Sequence, residues 1–257
     1  MYNIAIDGPA GAGKSTIAKK AAKKLDFIYV DTGAMYRAIA LYFIRAGVKA
    51  EDEKTISEKC VDIDVSIDYV DGAQQVILNG ENVNDFIRTE QVSMMTSNIS
   101  KYPAVREKLL NLQRQLAAQK NVIMDGRDIG TCVLPDAKTK IFLTASAKER
   151  ARRRYKEQVE RGIECDIDQI EKDIIARDEQ DMNRKTAPLK QAEDAVLIDS
   201  SDMSIEQVVD AIIETFEATA HSSYAPMTEF YGITAPCIED AFIMGCNRYW
   251  SHCRCEQ

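Results

Sequence analysis

Residues 8–16 read Gly-Pro-Ala-Gly-Ala-Gly-Lys-Ser-Thr. The run matches G-x-x-x-x-G-K-[ST], in which every fixed position has a chemical reason. Glycines let the backbone curl until successive N–H groups point at phosphate oxygens. Lys14 brings a point charge to the β- and γ-phosphates, and Ser15 offers a hydroxyl to Mg²⁺. A helix leaving the motif adds its positive end. The chemistry read here is the cradling of a nucleoside triphosphate by Gly8, Pro9, Ala10, Gly11, Ala12, Gly13, Lys14, Ser15 and Thr16, with Lys14 expected in a solvent-facing loop. The bland alternative is a glycine-rich turn without a ligand. It is disfavoured because an apolar, strand-like run enters the motif and an amphipathic one leaves it.

Three more clusters narrow the chemistry. Asp31-Thr32-Gly33-Ala34-Met35-Tyr36-Arg37 follows a second apolar run, and Asp125-Gly126-Arg127-Asp128 follows a third. Ligands of a doubly wound sheet bind outside the carboxyl ends of its strands, where both clusters fall. The third cluster is Arg150, Arg152, Arg153 and Arg154, with Arg161, Arg177 and Arg184 downstream. Residues 148–161 hold seven Lys/Arg against three Glu, a local +4 in a chain of net charge −8. Each has a structural reading as well. Asp31 and Asp125 could be helix caps or turn formers. The arginine run could be a solvated face held by Glu149 and Glu157. Taken with the phosphate loop, the joint pattern points to a lid. Moving a phosphoryl group between two anions concentrates negative charge, and arginines are the expected remedy.

These groups need a frame to hold them. The chain has 257 residues and 45% hydrophobic side chains, enough for one large domain with additions. Strand-like runs at residues 2–7, 27–30, 121–125, 139–145 and 195–199 alternate with helical patterns at 15–25, 34–46, 146–161 and 167–181. A last helix starts at Ser204, whose partner Gln207 makes a capping box, and turns Ile205, Val208, Val209, Ile212, Ile213 and Phe216 inward. Such alternation implies a parallel sheet with helices on both faces. One stretch breaks the rhythm. Val65, Ile67 and Tyr69 alternate with polar residues, Asp71-Gly72 follows, then Val76 and Leu78, then Asn79-Gly80. These are hairpin signals, so residues 63–85 read as a small antiparallel meander. Helical segments at 91–100 and 103–119 lead back to the sheet.

In this order the motifs G-P-A-G-A-G-K-S-T, D-T-G-A-M-Y-R, D-G-R-D-I-G-T and R-D-E-Q-D-M-N-R-K-T-A-P-L resemble those of bacterial cytidylate kinases, over about residues 2–219. The resemblance implies a P-loop NTPase-type three-layer sandwich: a five-stranded parallel sheet, a small antiparallel meander insert and an Arg-rich lid. It implies a kinase domain over 1–220, with 63–103 as the inserted nucleoside monophosphate-binding part and 148–184 as the lid and its flanking helices. It also implies transfer of the γ-phosphoryl group of ATP to CMP or dCMP, with Mg²⁺. The residues carried over are Lys14, Arg127, Arg153 and Arg154 for catalysis, and Ser15 for the metal. Thr32 stands beside the acceptor nucleotide, and Arg37 meets its phosphate. Ser97, Arg106 and Asp128 read the base, and Arg127 again meets the acceptor phosphate. Arg177, Asp181 and Arg184 surround the sugar and phosphate. Cytosine suits such a set, because Asp128 can accept from its amino group while Arg106 and Ser97 donate to the ring acceptors.

Exclusions complete the reading. Both histidines, His221 and His252, lie at the far end of the chain. Residues 1–220 therefore hold no Ser-His-Asp device and no histidine metal site. The acidic balance argues against nucleic acid, and no apolar run approaches the ~20 residues of a membrane helix. The opening Met1-Tyr2-Asn3-Ile4 lacks a charged leader, so a cytoplasmic protein is expected, and the resemblance implies a monomer. Two alternatives stand beside the resemblance. One is another small-molecule kinase, which shares the loop but not the meander with Asp128 and Arg106. The other is a nucleotide switch, for which an N-K-x-D motif would be expected and is absent. Residues 221–257 have no lysine, and they hold Cys237, Cys246, Cys253 and Cys255 and Trp250. They read as a Cys-rich extension of unknown role: a loose appendage, the start of a second domain, or a small metal site, though the spacing lacks paired zinc knuckles.

Overall fold

The alternation of apolar strands and amphipathic helices closes into one parallel sheet. A computed structural model describes residues 1–221; the Cys-rich segment read above lies outside them. The strands are β1 (Asn3–Asp7), β2 (Ile28–Asp31), β6 (Val122–Gly126), β7 (Thr139–Thr144) and β8 (Val196–Asp199), in the order β2-β6-β1-β7-β8. All neighbours pair in parallel, with Ile4 beside Ile123 and Ile6 beside Ile141. The chain winds one way from β1 to β6 and the other way to β7. A crevice therefore opens beyond the carboxyl end of β1, where the phosphate loop lies.

Side chains alternate across the sheet and feed two cores. Ala5, Val30, Val122 and Met124 face α2 (Thr32–Arg45), α4 (Glu90–Ile99) and α5 (Pro103–Gln119). Ile4, Ile6, Ile123, Ile141 and Leu143 face α1 (Lys14–Leu25) and α8 (Ile205–His221). The capping box at Ser204 forms as read: Ser204 N–H donates to Gln207 Oε1 at 2.8 Å, and Gln207 N–H to Ser204 Oγ at 3.3 Å. Phe216 of α8 anchors the first residues through edge-on contacts with Tyr2 and Phe27. The expected three layers and five-stranded sheet are present.

The meander is a separate antiparallel sheet of β3 (Val65–Val70), β4 (Ala73–Leu78) and β5 (Glu81–Asn82). Asp71-Gly72 and Asn79-Gly80 all have positive φ, between 49° and 84°, as tight hairpin turns require. Val76 and Leu78 reach into the core, and Gln74 clasps the end of β2 by accepting from Asp31 N–H and donating to Asp31 C=O. A short helix, α3 (Glu53–Lys59), and a π-helical turn over Ile129–Val133 were not expected. Helices α6 (Ala147–Glu160) and α7 (Ile167–Asn183) form a hairpin with its own small core of Ala151, Ile170 and Ile174.

Candidate active site

The phosphate loop is built by close approach. A Cβ on Gly8 would stand 1.9 Å from the Leu143 carbonyl oxygen, so no other residue fits between β1 and β7. Gly11 and Gly13 have φ of 75° and 84°, which turns the loop into α1 with Gly13 at its N-terminus. Lys14 corrects the expectation of a solvent-facing residue. It is buried, and its Nζ donates to the carbonyls of Gly8 at 2.8 Å and Pro9 at 2.7 Å. Burial, helped by the nearby Arg127 charge, depresses its pKa.

Ser15 Oγ donates to Asp125 Oδ2 at 2.8 Å, and Tyr29 OH to Oδ1 at 3.1 Å. Burial and the Asp31 charge lift the Asp125 carboxyl to about 6. Asp31 does two things. It caps α2 by accepting from Ala34 N–H at 2.8 Å, and it pairs with Arg37 and Arg88 at 3.2 Å each. Thr32 Oγ donates to the Asp125 carbonyl at 2.7 Å, close over Gly126, whose missing Cβ leaves room for it.

From Asp128 a line of alternating charges runs along the crevice. Arg106 and Arg184 both pair with Asp128; Arg184 also approaches Asp181, and Asp181 accepts from Arg127 Nε at 3.0 Å. The two aspartates are buried, and burial raises the Asp128 carboxyl while the guanidinium groups oppose that rise. Arg106 also lies over the Tyr36 ring, whose hydroxyl burial pushes up to about 12. Arg177 donates to Ser93 Oγ at 3.2 Å. Its Nε is buried without a partner among the described residues. Burial and then the charges of Arg127, Arg154 and Arg37 (Asp181 opposing) pull its pKa down to about 10. Several guanidinium groups held against one another in a cleft make a pocket for a polyanion.

The residues read from the sequence thus fall into three groups. Gly8 to Ser15 with Thr32, Arg37, Arg106, Arg127, Asp128, Arg177, Asp181 and Arg184 converge on the carboxyl edge of the sheet; Thr16 is exposed on the first turn of α1. Ser97 contacts Gln180 of α7, at 3.4 Å, and not the Asp128 pair. Arg153 is tied to Glu149 at 2.9 Å and to the Ser200 carbonyl at 2.7 Å, the pairing of the solvated-face reading, while Arg154 is exposed. Sequence reasoning missed Arg88, which carries no motif and is brought to Asp31 by the meander. It also missed Asp7, whose carboxylate accepts from Ile129 N–H and Gly130 N–H at 2.7 Å each. A buried Asp ending the first strand was the available signal.

A phosphate loop at the switch point of a parallel sheet, facing paired guanidinium and carboxylate groups, defines a P-loop nucleotide-binding α/β protein. The cytidylate kinase family model matches residues 4–218. A cytidylate kinase of Caldicellulosiruptor saccharolyticus is 54% identical over 214 residues, 83% of this chain and 95% of the relative. That of Syntrophotalea carbinolica is 47% identical over 82% of this chain and 90% of its own length. The chain belongs to the cytidylate kinase family. Among the described residues no helix is long and apolar enough to cross a membrane.

Proposed function

We propose that the chain transfers the γ-phosphoryl group of ATP to CMP or dCMP, giving CDP or dCDP and ADP. The observation that carries the reading is the buried Arg106–Asp128–Arg184 set across the crevice from the phosphate loop. Asp128 accepts from the cytosine amino group and Arg106 donates to the ring acceptors. Uracil presents a carbonyl where cytosine has the amino group, and would meet the carboxylate lone pair to lone pair. Ser97, which contacts Gln180 of α7 and not Asp128, is included among the base contacts on the resemblance alone. Arg37 and Arg127 hold the acceptor phosphate, joined by Arg88 through its shared partner Asp31. Asp181, Arg177 and Arg184 bound the sugar and phosphate.

Catalysis here is positioning and charge. The attacking oxygen belongs to a phosphate that is largely ionised near neutral pH, so no general base is needed. Lys14 and Arg127 neutralise the transferring group. The α6–α7 hairpin acts as the lid, with Arg153 and Arg154 meeting charge that develops on closure. Ser15 Oγ and the Asp125 carboxylate, hydrogen-bonded to one another, form a hard oxygen donor set of the kind Mg²⁺ prefers. They would hold the ion, which when bound neutralises charge on the donor phosphates. We further propose a cytoplasmic monomer that binds no nucleic acid, in keeping with the acidic composition. Measuring ADP release with CMP, dCMP, UMP, AMP and shikimate in parallel tests the reading. CMP should be the best or near-best acceptor and dCMP should be used; equal or better turnover of UMP, AMP or shikimate would remove it.

A further inference from the structure

Arg150 belongs to the basic run of α6, but its environment is unlike that of its neighbours. Its side chain is 6% exposed and points into the molecule, not toward solvent. The planar guanidinium makes three divergent contacts: Nε to the Ala145 carbonyl at 2.8 Å, Nη1 to the Ala10 carbonyl at 2.9 Å, and Nη2 to Asp178 Oδ2 at 2.6 Å. Its aliphatic stem lies under Gly11, where an added Cβ would be 3.6 Å from Arg150 Cβ. Three elements therefore meet on one side chain: the end of β7, the phosphate loop and α7.

The contact with Ala10 has a geometric consequence. In a trans peptide the carbonyl of one residue and the N–H of the next point in opposite directions within one plane. Holding the Ala10 carbonyl from below aims the Gly11 N–H outward, the direction from which a phosphate loop binds its ligand. Asp178, at the other end of the guanidinium, sits beside Arg177 and one turn before Asp181 on α7. Only one of its oxygens is engaged; Oδ1 is buried without a partner among the described residues. A tilt of α7 moves Asp178, and with it the guanidinium and the Ala10–Gly11 peptide plane. Stability alone does not explain such a pair, since apolar residues of similar size commonly serve as well.

We propose that Arg150 is a positioning residue that couples the donor-phosphate loop to helix α7, so that the triphosphate and the acceptor nucleotide bind with linked affinities. The proposal rests on the reading of the crevice as an ATP and CMP site. A lysine would supply one point charge and could not hold three acceptors spread in a plane.

Calorimetric titration tests it. CMP binding is measured with and without a saturating non-hydrolysable ATP analogue and Mg²⁺, for the wild-type chain, Arg150→Lys, Asp178→Asn and the paired Arg150→Met/Asp178→Leu. The pair replaces both charges at once, so it remains informative if a single variant fails to fold, and thermal melting checks each. In the wild type the analogue should change CMP affinity by ~5-fold or more, the usual lower size of such coupling. In folded variants that factor should fall to within ~2-fold of unity, analogue affinity should drop, and affinity for CMP alone should hold. A merely structural role would lower melting temperature and leave the factor intact. A folded variant with the wild-type factor, or a wild-type factor near unity, overturns the proposal. A wild-type chain that binds the analogue but not CMP is a different failure: it takes down the acceptor reading, and this proposal with it.

Discussion

Asp128 is buried and holds two guanidinium groups, and that fixes what its replacement must do. Asp128→Asn keeps the shape, removes the charge and adds a donor where only acceptors stood. Loss of a hydrogen bond to a charged group is worth about 1.5–3 kcal/mol, so kcat/KM for CMP should fall by roughly 10- to 100-fold. The CMP/UMP ratio should shrink with it, and steady-state assays on both substrates read this directly; an unchanged ratio would move base recognition elsewhere. Asp7 poses a separate question of pH. Burial lifts its carboxyl from 3.8 to about 6, so the folded chain keeps a proton that the unfolded chain has already lost. The stability this group contributes is fully present below about pH 3.8 and is lost as pH rises to about 6. A shift of that size corresponds to about 3 kcal/mol. Asp7→Asn also weakens a backbone contact, but that cost does not depend on pH. Urea unfolding at pH 4, 5, 6 and 7 should therefore show the wild type losing stability relative to the variant as pH rises. A wild type that gains relative stability over this window would refute the raised carboxyl.

At the level of elements, the α6–α7 hairpin separates arginines that look alike in sequence. Arg153 is fastened to Glu149 and the Ser200 carbonyl, and Arg152 to Glu149, whose carboxyl the Arg152 hydrogen bond pulls down to about 2. Arg154 is exposed, yet near enough to bear on the charge of Arg177. Arg154→Ala should lower kcat by ~10-fold or more while leaving the CMP dissociation constant nearly unchanged, because its partner charge arises only in the transition state. Arg153→Ala should lower kcat and melting temperature together. If CMP affinity collapsed in Arg154→Ala while kcat held, that residue would belong to the acceptor site. Which elements could be read in advance follows from the same physics. The helix that begins at Pro103 and the hairpin turns at Asp71-Gly72 and Asn79-Gly80 carry their signals locally, and they fold where those signals stand. Helix α3 buries only Ile56 and so shows no periodic stripe. The π-helical turn has no local cause: the Asp7 carboxylate, 122 residues away along the chain, holds its Ile129 N–H. Motifs likewise located Arg37, Arg127, Asp128, Arg177, Asp181 and Arg184 of the crevice, but not which arginine pairs with which aspartate. Lys14 is buried and Arg150 internal because strands β1 and β7 and helix α7 converge on them, and no window of sequence contains that.

For the molecule as a whole, the question is how much chain the chemistry needs. The family match ends at residue 218, and α8 closes the second core with Val208, Val209 and Ile212 before ending at His221. Every group assigned here to phosphate, base or sugar lies between Gly8 and Ser97 or between Arg106 and Arg184. The helix that completes the fold is itself fixed at its start by the Ser204–Gln207 box and along its length by Lys20–Glu206 and Lys24–Asp210 pairs to α1. Those surface pairs are worth little, and the buried apolar side chains of α8 carry most of its docking. Cutting within α8 would expose that core face and should destabilise the sheet beneath it. Cutting after it removes none of the described residues of either core. A chain ending at His221 keeps every described core and crevice residue, so it should melt as cooperatively as the full chain and phosphorylate CMP within ~2-fold of its rate. Calorimetry of unfolding and the ADP-release assay on both lengths make the comparison. A shortened chain that folds but loses most of its activity would mean that residues 222–257 reach the crevice, and the division at the end of α8 would then be wrong.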